Sequence, residues 1–399
     1  MGQPYALIAL VESSPKQGCF HKEGFGFWIC GSHGCMPHDC PDPSFPFFLW
    51  YNSPKIMLTH TEKQKYFKIL CNDNYPDFIS EYIETVDLQR LKNIGLFCGC
   101  DYTDLYSMKF WYSRLDHSIA TALMTWNFTK DKAQTLAALF HDLGTPAFSH
   151  AIDYLLNDSA NQESSEQDVE KIILNSKNLL NLLKKDNIEV EEVVDLSMYS
   201  LIENELPKIC IDRLEGILST GLIWCQFWQL EDINHIYQNI VILNNEDDLS
   251  ELGFSNLQIA NFFMQGVYKY SIALQKNRNK FVMQFIADNL KYLVKHDVIS
   301  LSDLYLLSEE ELINIIRADI FLKDNWEIFG KLKRVRSSEN KPNGRYYVSV
   351  KSKKRYVIPL VELNNNIYRL NKVSKLCENL LDKYDLFNEK KYVYSSIKE

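Results

Sequence analysis

A chain of 399 residues with 46% hydrophobic, 13% aromatic and 24% charged residues can build a sizeable core and is too apolar for a disordered chain. The formal net charge of −9 argues against general attraction to nucleic acid and leaves only a local basic patch for that role. No apolar run approaches the ~18 residues of a membrane span, and the opening stretch lacks the basic start of a signal peptide. A cytoplasmic, non-membrane protein is expected.

Residues 1–56 hold seven of the twelve prolines and six of the fifteen glycines, with Cys19, Cys30, Cys35 and Cys40 beside His21, His33 and His38. Two readings stand. One is a structural zinc site, because Cys and His alternate at short spacing, although the paired C-x-x-C form is missing. The other is a poorly ordered extension, with Met57 as an alternative start. The six later cysteines lie in mostly apolar surroundings, as reduced thiols do.

Helical periodicity begins near Thr61 and runs through Tyr82, Leu88 and Leu91 to a stop at Gly95. A Gly, Cys, Asp and Tyr-rich loop follows. A helix is expected from about Arg114, with Ile119, Ala122, Leu123 and Trp126 at helical spacing. Another should span about Asp131–Leu143, with Ala133, Leu136, Ala137 and Phe140 at i, i+3, i+4 and i+7. Further helices are expected at Val169–Leu183 and Leu206–Trp228, as a pair across 255–297, and after a capping box at Ser308–Glu311. From Lys331 to Arg355 ten Lys or Arg face one acid, Glu339, a local +9. Short strands at Tyr346–Val350 and Arg355–Val361, with a turn at Asn343-Gly344, suggest a hairpin. The last forty residues return to helix, with Leu376, Leu380 and Leu381 on one face.

The chemistry concentrates in Phe140-His141-Asp142-Leu143-Gly144-Thr145-Pro146, where an apolar helix ends on adjacent His and Asp. His117 lies one helix upstream, and Asp212 lies on a later helix. Two imidazoles and two carboxylates suit a divalent transition metal, which can ionise a bound water and polarise a phosphoryl oxygen. Each residue alone would more often be a packed or solvated side chain. Only the four together point to a metal.

Arg114-Leu115-Asp116-His117-Ser118, His141-Asp142-Leu143-Gly144 with Phe148-Ser149-His150, and Asp212-Arg213 resemble the HD-domain phosphohydrolases. The nearest likeness is to the branch containing the SAM-and-HD-domain deoxynucleoside triphosphate triphosphohydrolases and the bacterial dGTP triphosphohydrolases. It covers roughly residues 80 to 320 and is specific only at the motifs. The resemblance implies a mainly α fold, an HD-domain helical bundle with additional C-terminal helices and a small β-hairpin element. The segments are then a 1–56 extension, a 57–235 HD core, a 236–330 helical continuation, and 331–399 with the basic hairpin and C-terminal helix.

It also implies His117, His141, Asp142 and Asp212 as ligands of a divalent metal (Mn, Fe, Mg, Zn, Ni or Co). Arg114 and Arg213 would meet substrate phosphate, Gln89 of the branch's Gln-Arg-Leu segment would also bind substrate, and His150, beside the phosphates, would act in catalysis with Asp142 and Glu166. Glu166 matches the family residue next to a catalytic histidine, but that histidine is Ser165 here, and serine is no general acid near pH 7. Where relatives read the sugar with Tyr and Asp, this chain has Gly216 and Thr220.

A homo-oligomer is expected by resemblance. The basic segment is either a solvated hairpin or a contact for polyphosphate, nucleic acid or a regulatory nucleotide. The first functional reading is hydrolysis of a (deoxy)nucleoside triphosphate to nucleoside and triphosphate. The second is a nucleoside monophosphate or cyclic-nucleotide phosphohydrolase. The third is a catalytically weakened nucleotide- or nucleic-acid-binding regulatory protein.

Overall fold

The computed structural model describes residues 60–160 and 169–398. The readings of residues 1–56 as a zinc site or extension, and of Ser165 and Glu166, lie outside the described residues. Among those described, the architecture is a helical bundle carrying two small sheets.

The centre of the bundle is a helix, Arg114–Thr129 (α2), that follows α1 (His60–Cys71). Ser113 caps it: its Oγ accepts from the Asp116 amide at 3.1 Å while Asp116 Oδ2 accepts from the Ser113 amide at 2.8 Å, a reciprocal capping box. Every residue from Arg114 to Thr125 is buried, so α2 is enclosed on all sides rather than amphipathic. Lys63 of α1 reaches Asp116 at 2.8 Å. The next helix, Lys132–Phe140 (α3), is capped by Asp131 and is tied to α2 by Thr121 Oγ1 donating to the Ala138 carbonyl at 3.0 Å. It stops three residues before the expected Leu143. The Leu143 amide turns back to the Phe140 carbonyl at 2.8 Å, which puts His141 and Asp142 on the bend that Gly144 and Pro146 enforce.

The long Val169–Leu183 helix is two helices, because Ser176 breaks the first and caps the second. The expected Leu206–Trp228 helix begins only at Ile211, after Pro207, as α4 (Ile211–Ser219), and runs on as a π-helical turn, Thr220–Trp224. The pair across 255–297 is present as α5 (Leu257–Gln275) and α6 (Asn277–Lys295). The capping box at Ser308 opens α7 (Glu309–Ala318). In the C-terminal helix α8 (Lys375–Asp385) the buried face is Cys377, Leu380 and Tyr384, and Leu376 is exposed.

The β content exceeds one hairpin. Strands β1 (Ile240–Asn244) and β2 (Ser250–Phe254) pair antiparallel, β2 pairs parallel with β5 (Leu360–Leu363), and β5 pairs antiparallel with β6 (Asn366–Arg369). The expected hairpin is corrected: its strands Tyr346–Val350 and Arg355–Val361 shrink to β4 (Tyr347–Val348) and β5, which lie in different sheets and do not pair, and the second sheet adds β3 (Arg336–Ser338). Strands β3 and β4 both flank β7 (Tyr392–Tyr394), which lies between them. Between β4 and β5 the chain runs on without ladder pairing. No helix among the described residues is long and apolar enough to cross a membrane.

Candidate metal centre

Three helix ends aim four side chains at one point. His117 sits in the first turn of α2, His141 and Asp142 follow α3, and Asp212 lies in the first turn of α4. His117 Nε2 is 3.0 Å from Asp212 Oδ1 and 3.2 Å from His141 Nε2. His141 Nε2 is 3.6 Å from Asp212 Oδ1. Asp142 Oδ2 is 3.7 Å from His117 Nε2 and 3.6 Å from His141 Nε2. Donors placed about 2.1 Å from a common ion are about 3.0–3.5 Å from one another; His117, His141 and Asp212 come close to that spacing, and Asp142 stands slightly farther from both imidazoles.

The tautomers strengthen the match. His141 Nδ1 lies 2.7 Å from the Ala138 carbonyl, which only accepts, so Nδ1 carries the proton. His117 Nδ1 meets the carboxylate of Glu215. Both Nε2 lone pairs therefore face the same point, with two carboxylate oxygens beside them. That arrangement is repulsive unless a cation or an added proton occupies it. Burial alone would lower the His117 pKa, but Glu215, Asp212 and Asp142 outweigh it and hold it at about 10. The negative field that draws a proton there draws a metal ion equally well.

The supporting contacts are extensive. Glu215 is fully buried and accepts from Tyr66 Oη at 3.0 Å and Tyr112 Oη at 2.7 Å. Arg114 Nη1 donates to Asp142 Oδ2 at 2.8 Å, and its Nε donates to Ser149 Oγ at 3.0 Å. Thr145 Oγ1 donates to Asp142 Oδ1 at 3.0 Å. Burial works against the Asp142 carboxylate, but Arg114, His141 and His117 prevail and hold the carboxyl below its usual range. Phe148 and Ser149 both adopt positive φ, 61° and 49°, at a cost of about 1–2 kcal/mol each. The buried Glu309 holds that bend by accepting from the Phe148 amide at 2.9 Å.

The four donors open onto a cavity of about 570 Å³. Arg114, His150 and Arg213 line it, as do Gly216 and Thr220. His150 Nδ1 meets Asp153 Oδ2 at 3.1 Å. Burial lowers its pKa, Arg355 and Arg114 add to the lowering, and Asp153 opposes it, so the net shift is downward and the neutral imidazole is favoured. No atom lies within 4 Å of where a Cβ on Gly216 would sit, so this position leaves the cavity open. Trp224, Tyr270, Tyr356, Leu274 and Met283 supply an aromatic and apolar wall.

Two expected substrate contacts are placed differently. Gln89 is not part of the cavity, because its Nε2 donates to the Ile83 carbonyl at 2.8 Å. Its neighbour Arg90 instead buttresses the bend, donating from Nη2 to the carbonyls of Leu143 and Thr145 at 2.8 and 2.9 Å. Arg213 reaches the cavity, but its guanidinium holds the 203–208 loop through Asn204, Lys208 O (3.0 Å) and Glu203 (2.6 Å). A second donor group, Glu203, Cys210 and Asp212, is the poorer metal set, because Arg213 engages Glu203 and burial raises the Cys210 thiol pKa.

Sequence reasoning missed the role of Glu215. The available signal was its i+3 spacing from Asp212, which puts both carboxylates on one helix face. It also treated the basic segment as a block and missed that Lys353 and Arg355 reach the cavity.

No family model matches the chain. The chain is similar to the uncharacterized protein YdhJ of Bacillus subtilis, with 27% identity over 242 residues, 60% of this chain and 71% of that protein. It is also 27% identical over 139 residues, 35% of this chain, to the metal-dependent phosphohydrolase cns2 of Cordyceps militaris, and spans 39% of that protein's length. Among solved structures, a hypothetical protein from Aquifex aeolicus matches with a TM-score of 0.53 at 16% identity, covering 80% of this chain and 92% of that one. A phosphohydrolase from Bacteroides thetaiotaomicron matches with a TM-score of 0.54 at 12% identity, covering 78% and 94%. The two structures share the fold.

Proposed function

We propose that this protein is an HD-type, metal-dependent phosphohydrolase that cleaves a phosphate ester of a nucleotide, with a (deoxy)nucleoside triphosphate as the substrate and inorganic triphosphate as the leaving product. The observation that carries this reading is the convergence of two Nε2 lone pairs and two carboxylates, with both Nδ1 protons fixed by separate acceptors. The cns2 likeness supports the same chemistry.

His117, His141, Asp142 and Asp212 would hold the ion. A divalent cation bound there supplies Lewis acidity and makes water ionisable near neutral pH. Arg114 serves twice, fixing Asp142 and presenting its guanidinium to a phosphoryl oxygen at the cavity wall. His150, neutral and with Nδ1 on Asp153, keeps Nε2 as a proton acceptor and serves as the base. The aromatic wall suits a nucleobase, and the cavity lies within the ~300–1,000 Å³ range of small-molecule sites.

One observation favours a second substrate within the same chemistry. Arg213 is spent on the 203–208 loop, and Gly216 and Thr220 offer no sugar-reading pair, so a nucleoside monophosphate also fits.

The test is a metal-supplemented assay over dNTPs, NTPs and monophosphates with product identification, run in parallel on Asp142→Ala. The wild-type protein should release triphosphate, and the variant should lose bound metal and roughly a thousandfold or more in rate. Orthophosphate from monophosphates alone would select the second substrate. No hydrolysis with any metal would sink the proposal.

A further inference from the structure

We propose that Lys353 and Arg355 form an anion clamp for the phosphate chain of the substrate, lent to the metal centre by the C-terminal part of the protein. The inference rests on reading the cavity as a phosphohydrolase site and adds the residues that grip the anion.

The ten cations between Lys331 and Arg355 are not equivalent. Eight are exposed, and only Lys353 and Arg355 are half-buried. Both line the same cavity as His117, His141, Asp142 and Asp212. The strap that carries them, residues 352–357, runs between β4 and β5 in open, unpaired form. Lys354 does not line the cavity and lies instead 3.3 Å from Asp385 and over the ring of Tyr384. The neighbours on either side of it turn to the cavity.

The strap is fixed at both ends. Gln275 of α5 donates to the Lys353 carbonyl at 2.7 Å and accepts from Ser352 Oγ at 3.2 Å. The Ile358 amide donates to the Pro207 carbonyl at 2.8 Å, and Tyr356 packs edge-on against Tyr384 with ring centroids 5.8 Å apart. The two cationic side chains thus project from a backbone that is already held, as a recognition site requires. The Arg355 charge reaches the cavity interior, where it lowers the pKa of His150 and opposes the upward shifts of Cys98 and Tyr154.

Two other cations line the cavity: Arg114, which holds Asp142 and Ser149, and Arg213, which holds the 203–208 loop. The carboxylates of Asp142 and Asp212 and two further ones, Glu203 and Glu205, face the same space. A polyanion entering this cavity needs added positive charge, and Lys353 with Arg355 supplies it. An arginine fork suits phosphate oxygens, and the lysine adds a point charge.

The experiment measures binding of inorganic triphosphate to the metal-loaded full chain by calorimetry, with kcat and KM for whichever nucleotide is turned over. Arg355→Ala should weaken triphosphate binding and raise KM by about tenfold to a hundredfold, with kcat and metal content within about threefold. Arg355→Lys should restore part of the loss, and Lys353→Ala should show a smaller loss in the same direction. Lys354→Ala, on the same strap but turned outward, should change neither constant by more than about twofold. Wild-type binding should weaken steeply with salt, and less steeply in Arg355→Ala. Unchanged triphosphate binding in Arg355→Ala overturns the clamp, as does an equal loss in Lys354→Ala or a wild-type chain that binds no triphosphate. Binding that depends on Arg355 in a protein that hydrolyses no nucleotide leaves the clamp standing and removes the phosphohydrolase reading instead.

Discussion

The donor cluster and the 352–357 strap meet at one cavity but are built by opposite means. In the cluster the side chains are buried or nearly so, and almost every polar atom has a partner: Glu215 behind His117, the Ala138 carbonyl behind His141, Arg114 and Thr145 on Asp142. The strap is extended, half-exposed and held mainly through its backbone. Metal chemistry tolerates little positional error, and ligand orientation depends on the supporting contacts. Anion capture tolerates more, because charge acts over distance and long side chains adapt. On the proposed reading, chemistry falls to buried, fully supported side chains and recognition to long side chains that adapt from a held backbone.

His150 is the sharpest way to break this division, because it lines the cavity without belonging to the donor set. His150→Ala should reduce turnover by about a hundredfold to ten-thousandfold while metal content, read by elemental analysis, stays at the wild-type level. Normal turnover would remove the proton-handling role. A smaller effect is expected from Glu215→Gln, which keeps the shape but neutralises the group behind His117. Metal affinity, titrated with a chelator, should fall about tenfold to a hundredfold, with triphosphate affinity unchanged once metal is saturating. A change confined to triphosphate affinity would mean that the two regions are not separable.

The smallest effect concerns Glu309, which holds the bend, and Asp101, which lies with it beside Gly95. Burial pushes the Glu309 carboxyl up to about 8 and the Asp101 carboxyl up to about 7. Both are protonated in the folded chain over a range where the unfolded chain, with carboxyls near pH 4, has released the proton. Their contribution to stability is therefore complete below about pH 4 and is lost as pH rises through 7 to 8. Thermal midpoints should fall by a few degrees, roughly 2–4 °C, between pH 6 and 9, and Glu309→Gln should flatten that decline. A midpoint that rises with pH over this range would contradict the assignment.

The candidate metal donors were legible because each lies on or beside a helix with a local signal: a helix expected from about Arg114 for His117, a Gly and Pro break after His141-Asp142, and an apolar helical stripe around Asp212. The same holds for α5, α6 and the capping box of α7, whose periodicity and caps lie within a few residues. What escaped depends on distant partners. β2 needs β5 more than a hundred residues away, and β3 and β4 need β7. Strand pairing at such separation leaves no local signature. Arg213 looked like a phosphate ligand from its place beside Asp212, yet its donors are claimed by Asn204, Glu203 and the Lys208 carbonyl, which folding alone brings near. The strap cations were visible as charge, but their direction was not, since it depends on where Gln275 and Pro207 hold the backbone.

The enclosure of α2 has a kinetic consequence. A helix buried from Arg114 through Thr125 releases its amide hydrogens only when the whole domain opens, so His117 rides on one of the slowest-exchanging segments of the chain. The strap, whose amides lie in no ladder, should exchange many orders of magnitude faster, so the two walls of one cavity keep separate clocks.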